Sequence, residues 1–253
     1  MGDAGLPPLE ALPQPILSTV DKGIFLLEPL SRRGHGPPLI VLTSGQDTAD
    51  SAAAIINYVP STLIKWAEEG FAVVQIQKAA LESKSPLQLT LDALKGCRKC
   101  DYGKVGIVSY DDALWQTLSP QISSFPDIAG AVIYSDAERG LQKCSIPSVQ
   151  HLHGKAYSKL PRTKNLTGYE YPTSKSQLFA SPLSPDFDYG LEAVSHTRNL
   201  TFLKRPDILA GPIFDLEEIW DEHTYYEFAN RSVAHTMATM VQVSGILRQE
   251  TTC

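Results

Sequence analysis

Val105-Gly106-Ile107-Val108-Ser109-Tyr110-Asp111-Asp112-Ala113-Leu114-Trp115 decides how the rest of the chain is read. Its first half is a short, nearly continuous apolar run, the pattern of a strand buried on both faces. The two acids that follow open a short helix over 112–118, with Leu114, Trp115 and Leu118 at helical spacing. The same unit of strand, turn and helix recurs on either side. Upstream, 38–43 reads as a buried strand, 61–69 as a helix between the cap Ser61 and the stop Gly70, and 71–76 as another strand. Residues 86–97 place Leu87, Leu91 and Leu94 on one helical face, and 128–134 and 146–152 supply two further strands. Apolar strands alternating with helices predict an α/β fold: a mostly parallel sheet with helices on both faces.

The margins are less regular. Residues 1–20, rich in proline, read as an extended N-terminal arm, with order expected from about Gly23 and a strand over 23–29. From Lys155 to Ser184 the chain turns polar, with one strand-like island at Gly168-Tyr169-Glu170-Tyr171. A helix is expected over 188–202, with Tyr189, Val194 and Leu200 among its apolar positions. After a break between Arg205 and Pro212, residues 214–242 read as helix with a turn near Ala229-Asn230, capped by Asp215. The expected division is an arm (1–20), an α/β domain (21–205), a C-terminal helical segment (206–242), taken as the possible start of a truncated second domain, and a tail (243–253).

Composition limits the function. The 253 residues are 43% hydrophobic and 20% charged, which excludes disordered and fibrous classes, and a chain of this length buries a full core without staples. With 22 basic and 28 acidic residues the net charge is −6, the wrong sign for nucleic acid or an anionic membrane surface. No apolar run approaches the roughly 20 residues of a spanning helix, and the first residues lack a basic and then apolar leader, so a cytoplasmic address is expected. Cys97, Cys100, Cys144 and Cys253 are too few for a disulfide framework, and Cys97-Arg98-Lys99-Cys100 has no second ligand pair, so ordinary thiols are expected. No cofactor and no metal are implied. The expected partner is a small-molecule substrate, and the sequence is silent on oligomeric state.

In an open parallel sheet, ligands bind beyond the carboxyl ends of the strands, so the turn at Tyr110-Asp111-Asp112 is the place to look for chemistry. A strand running straight into a helix is the layout of a nucleophile elbow. There the turn residue projects into the pocket, while the next backbone N–H, here of Asp112, and one from the loop near Ser44 and Gly45 form an oxyanion hole. Asp111 occupies the turn. A carboxylate can attack an electrophilic carbon and form an ester that water then cleaves, a second step that needs a base. His153 at a strand end and His196 in the helix over 188–202 are the candidates, with His151 a third. The plainer alternative is that Asp111 caps the helix that starts at Asp112.

The chain also resembles the dienelactone hydrolase family of α/β-hydrolases, the carboxymethylenebutenolidase-like group, and in particular a fungal branch. The likeness runs from about Asp21 to Gln242 and is carried by residues 21–29, 64–70, the elbow, Ser195-His196-Thr197-Arg198-Asn199-Leu200 and Ile219 to Phe228. It implies a Cys-Asp-His triad acting on a lactone or ester of a small metabolite, with secondary metabolism as the setting. Carried onto this chain, the family's G-x-C-x-G falls on Ser109-Tyr110-Asp111-Asp112-Ala113, its acid on Lys155-Ala156-Tyr157, and its histidine on Gln177. All three triad positions hold other residues. Arg198 is read either as a partner for the carboxylate that dienelactone-type substrates carry or as one half of a structural ion pair, and Tyr110 and Gln177 are candidates to line the substrate. A relative that kept the fold as a binding or partner protein is one rival, and a lyase or cyclase moving protons with pocket carboxylates is another.

Overall fold

The computed structural model describes residues 15–31, 33–44, 55–56, 59–210 and 216–239. The first strands are β1 (Leu17–Asp21), β2 (Ile24–Leu27) and β3 (Pro38–Leu42), followed by the two-residue strands β4 (Ile55–Ile56) and β5 (Val59–Pro60). Helices and strands then alternate: α1 (Thr62–Glu68), β6 (Ala72–Ile76), α2 (Pro86–Gly96), β7 (Val105–Ser109) and α3 (Asp112–Leu118). The strands β8 (Ile128–Asp136), β9 (Ser148–His153) and β10 (Leu166–Tyr171) lead to α4 (Tyr189–Leu203), and α5 (Leu216–Thr224) and α6 (Val233–Thr239) follow.

Eight strands form one sheet in the order β1-β2-β6-β3-β7-β8-β9-β10, while β4 and β5 pair separately. β2 runs antiparallel to both β1 and β6, and every other pairing in the large sheet is parallel. Successive residues of the central strands enter opposite cores, as the pleat requires. Leu39 and Val41 join Val108, Val132 and Tyr134 against α1 and α4; Ile40 and Leu42 join Ile107, Ala131 and Ile133 against α2 and α3. Both faces are covered, which is why these strands carry apolar residues at consecutive positions.

Local signals set most boundaries. Ser61 caps α1 by accepting from Ile64 N at 3.3 Å, and Gly70 follows at φ +90°, a conformation that favours glycine. Gly36 passes so close to Gly70 that a Cβ there would lie 1.7 Å from the Gly70 carbonyl oxygen. The CxxC loop is held by backbone bonds to Gly36, from Gly36 N to Lys99 O (3.0 Å) and from Asp101 N to Gly36 O (2.8 Å). Cys97, Cys100 and Cys144 are free thiols, and burial pushes the Cys100 thiol up to about 12. Cys253 and Asp215 lie outside the described residues.

Three expectations need correction. Order begins before Gly23, because Leu17–Asp21 forms an edge strand against β2. The island at 168–171 belongs to a full strand, β10, paired in register with β9. The helix with a turn near Ala229-Asn230 that was expected over 214–242 is, among the described residues, two helices, α5 and α6, with the turn at a π-helical segment, Tyr225–Asn230, that ends at Arg231 in the left-handed region (φ +59°). The largest correction concerns α4. Tyr189 is 77% and Val194 47% exposed, whereas Glu192, Ser195, His196 and Asn199 are buried. The helix turns a polar stripe to the core.

Candidate active site

The parallel strands β3, β6, β7, β8, β9 and β10 end on the same edge of the sheet, and most of the expected site residues follow those ends. Asp111 comes two residues after β7. Its backbone is relaxed and extended (φ −123°, ψ 115°), its carboxylate accepts from Leu114 N at 2.7 Å, and its carbonyl accepts from Trp115 N at 3.0 Å and from Ser109 Oγ at 2.8 Å. This is the geometry of a helix cap, satisfying N–H groups that a helix start leaves unpaired. A strained elbow that throws the side chain into a pocket is not formed. Leu114 N–H is the hydrogen-bond partner of the Asp111 carboxylate among the described residues.

Asp112, whose N–H is expected in the oxyanion hole, buries its own carboxylate (3% exposed) against Arg139 in an ion pair. Its second oxygen, Oδ1, is buried without a hydrogen-bond partner. A carboxylate so close to that N–H opposes the negative charge an oxyanion hole must hold. Ser44 is exposed just past β3, and Gly45 lies outside the described residues. Gln177 opens a 3-10 turn capped by Ser176 and is half-buried.

His153 ends β9 in register between Asp136 of β8 and Tyr171 of β10. Its Nδ1 lies 2.8 Å from Ser174 Oγ, and the Ser174 hydroxyl donates to the Tyr171 carbonyl at 2.7 Å. Because that hydroxyl has one proton, His153 Nδ1 is the donor, and in the neutral ring Nε2 carries the lone pair. His153 therefore bonds Ser174, a residue the sequence did not single out, rather than Asp111.

His196 sits elsewhere. Its Nε2 bonds Glu69 at 3.0 Å, its ring packs 4.7 Å from Trp66, and its Nδ1 stands 3.8 Å from Glu192 Oε1, beyond hydrogen-bond reach. Lys65 pairs with Glu192. Burial would raise the Glu69 carboxyl, but the His196 hydrogen bond and nearby positive charge outweigh it and hold it below its ordinary value. This cluster joins α1 to α4 beside a cavity of about 310 Å³. Each half was legible as an i, i+4 pair, Lys65 with Glu69 and Glu192 with His196, but nothing local pairs residues 127 positions apart.

The remaining expected residues belong to the core. Tyr110, Tyr134, His151 and Tyr169, from neighbouring strands, form a stack with centroid separations of 4.8, 4.7 and 5.6 Å. Arg162 and Arg198 close its end, each 4.0 Å from the Tyr169 centroid. Tyr110 is 3% exposed and accepts from Trp66 Nε1 at 3.1 Å. A hydrogen-bonded chain runs alongside. Arg198 donates to Tyr171 OH (3.0 Å), Tyr171 to His151 Nδ1 (2.7 Å), and His151 Nε2 to Asn199 Oδ1 (2.7 Å). Asn199 Nδ2 donates to Tyr134 OH (2.8 Å), Tyr134 to Ser195 Oγ (2.9 Å), and Ser195 to the Glu192 carbonyl (2.9 Å). Each donor finds an acceptor, so the tautomer of His151 is fixed, and burial drives its pKa down to about 3. Arg198 is thus held by ring faces and a phenol.

The strand order places one antiparallel strand second from the edge and a strand-to-helix turn after the central β7, with helices on both faces; this is the α/β-hydrolase arrangement. No family model and no curated protein matches the sequence. Solved structures that match include the Pyrococcus horikoshii acylaminoacyl peptidase in its orthorhombic crystal form, at TM-score 0.48 and 11% identity over 83% of this chain and 44% of that one. An acylaminoacyl peptidase in complex with Z-Gly-Gly-Phe-chloromethyl ketone matches at TM-score 0.49 and 12% identity, with the same coverage. The chain thus spans less than half the length of these neighbours.

Proposed function

We propose that the chain is a small-molecule-binding protein on the α/β-hydrolase scaffold in which the turn after the central strand no longer carries a nucleophile. One observation carries this reading: the Asp111 carboxylate is bonded to the N–H of its own helix in a relaxed backbone, with no imidazole bonded to it among the described residues. The ligand class offered first is the one implied by the dienelactone hydrolase resemblance, a lactone or ester of a small metabolite in fungal secondary metabolism. The free thiols fit a reducing, cytoplasmic setting.

A second reading, hydrolysis of that same lactone or ester, is favoured by the lone pair left on His153 Nε2 at the carboxyl edge, where a general base would stand. The test is turnover of p-nitrophenyl butyrate and of a small aryl lactone by wild type, Asp111→Asn and His153→Ala. The binding reading expects all three at the buffer rate. Turnover lost in Asp111→Asn would overturn it in favour of an elbow carboxylate, and turnover lost in His153→Ala alone would establish the second reading.

A further inference from the structure

Two guanidinium groups converge on one ring at the β10 edge of the sheet. Arg162 lies on the turn before β10 and Arg198 on α4; each guanidinium carbon stands 4.0 Å from the Tyr169 centroid, so their separation is at most twice that. Neither has a counter-ion. Among the described residues Arg33, Arg139 and Arg205 each pair with a carboxylate, whereas no carboxylate lies within ion-pair distance of Arg162 or Arg198, and the acceptor of Arg198 is the Tyr171 phenol.

The surrounding sequence does not supply the missing charge. Residues 155–185 hold five basic side chains against one acid, Glu170, in a chain whose net charge is −6. Glu170 follows Tyr169 along the strand, so its side chain leaves from the opposite face of the sheet, where it accepts from Ala156 N at 2.8 Å. The two arginines are also held in place. Backbone bonds bracket Arg162, from Gly168 N to Pro161 O (3.0 Å) and from Thr163 N to Leu166 O (2.9 Å). Arg198 is fixed by its bond to Tyr171 OH (3.0 Å), and the ring between them by its stacking on His151. One ring face attracts a guanidinium, but two like charges this close repel each other, and an anion between them turns that repulsion into attraction. A guanidinium carries five N–H donors in a fixed fork, of which Arg198 commits one to Tyr171. Two forks and two charges match a doubly charged group with several acceptor oxygens, which is a phosphate; a carboxylate fills one fork and neutralises one charge.

We propose that Arg162 and Arg198 bind the dianionic phosphate group of a small phosphorylated molecule, or the free ion, at the Tyr169 end of the aromatic stack. The site shares no residue with the turn that carries Asp111. The neutral ester or lactone of the preceding section offers it no charge, so this is a second ligand class at a second place.

Isothermal titration calorimetry of the full chain with phenyl phosphate, inorganic phosphate and phenylacetate tests it, at about 0.15 M salt and above pH 7, where a phosphate monoester is doubly charged. Phenyl phosphate should bind with a Kd at or below about 1 mM, and phenylacetate about tenfold more weakly or not at all. Tighter binding of phenyl phosphate than of inorganic phosphate makes the ligand a monoester; the reverse order, or equality, makes it the free ion. Arg162→Gln, at an exposed position that does not threaten folding, should weaken binding about tenfold or more, and Arg198→Lys, which keeps the charge and loses the fork, several-fold. Lys159→Gln removes another exposed charge of the same segment and should weaken binding less than about twofold. The proposal is overturned if neither phosphate binds saturably, if phenylacetate binds as tightly as phenyl phosphate, if either folded arginine variant keeps wild-type affinity, or if Lys159→Gln loses as much as Arg162→Gln, which would reduce the site to diffuse attraction.

Discussion

Asp111 commits its carboxylate to the first turn of α3, and that role is separable from its charge. Asparagine caps helices about as well as aspartate, whereas alanine loses about 1 kcal/mol. Asp111→Asn should therefore keep wild-type stability within a few tenths of a kcal/mol in urea unfolding, while Asp111→Ala loses about 1 kcal/mol. Equal stability of the alanine variant would mean that the cap contributes nothing and would reopen a catalytic role. A strand followed by acids and a helical apolar pattern made the position of Asp111 legible in the sequence. Its partner was ambiguous there, because the same carboxylate can cap or attack, and only backbone geometry separates the two. Cys100 is a similar case: the CxxC spacing is visible, but the loop bonds and burial that hold its thiol protonated depend on Gly36, distant in sequence.

At the scale of elements, strands and helices of the sheet were read from periodicity because their cores are apolar, and periodicity reports apolar burial. α4 shows where that reading ends. Its buried face is Glu192, Ser195, His196 and Asn199, each satisfied largely by residues from other elements, so the helix looks as though its exposed Tyr189 and Val194 should face inward. A buried polar stripe is stable only with its partners, and those partners come from β8, β9 and α1. β10 was shortened for a related reason: an edge strand with one face partly exposed carries a weaker pattern. Two substitutions check the inversion. Val194→Lys should change stability by less than about 0.5 kcal/mol, as surface changes do, whereas Asn199→Ala should cost about 3 kcal/mol by stranding the His151 N–H and depriving Tyr134 of a donor. Thermal or urea unfolding of the two variants decides it, and comparable losses would place Val194 in the core.

For the whole molecule, the polar network couples folding to pH. His151 lies between Tyr134 and Tyr169 in the stack and is fully buried, and burial lowers its pKa from the ordinary 6.5 to about 3. The native state therefore keeps the ring neutral where the unfolded chain protonates it. Above pH 6.5 both states are neutral and the contribution is constant. As pH falls below 6.5 the unfolded chain binds one more proton, and stability drops by about 1.4 kcal/mol per pH unit until the native ring itself titrates near 3. Glu69 works in the same direction at lower pH, because a carboxyl held below its ordinary 4.5 loses its contribution only as pH falls past that value. Between pH 6.5 and 5 the carboxylates are still ionised in both states, so that window isolates the imidazoles. Urea unfolding of wild type and His151→Phe at half-unit steps through it should show the variant less stable throughout but with a shallower slope, the two curves converging toward pH 5. Parallel curves would mean that native His151 takes up its proton over the same pH range as the unfolded chain, and the directional chain from Arg198 to the Glu192 carbonyl would then have to break at its centre as it does so, since an imidazolium cannot accept from Tyr171.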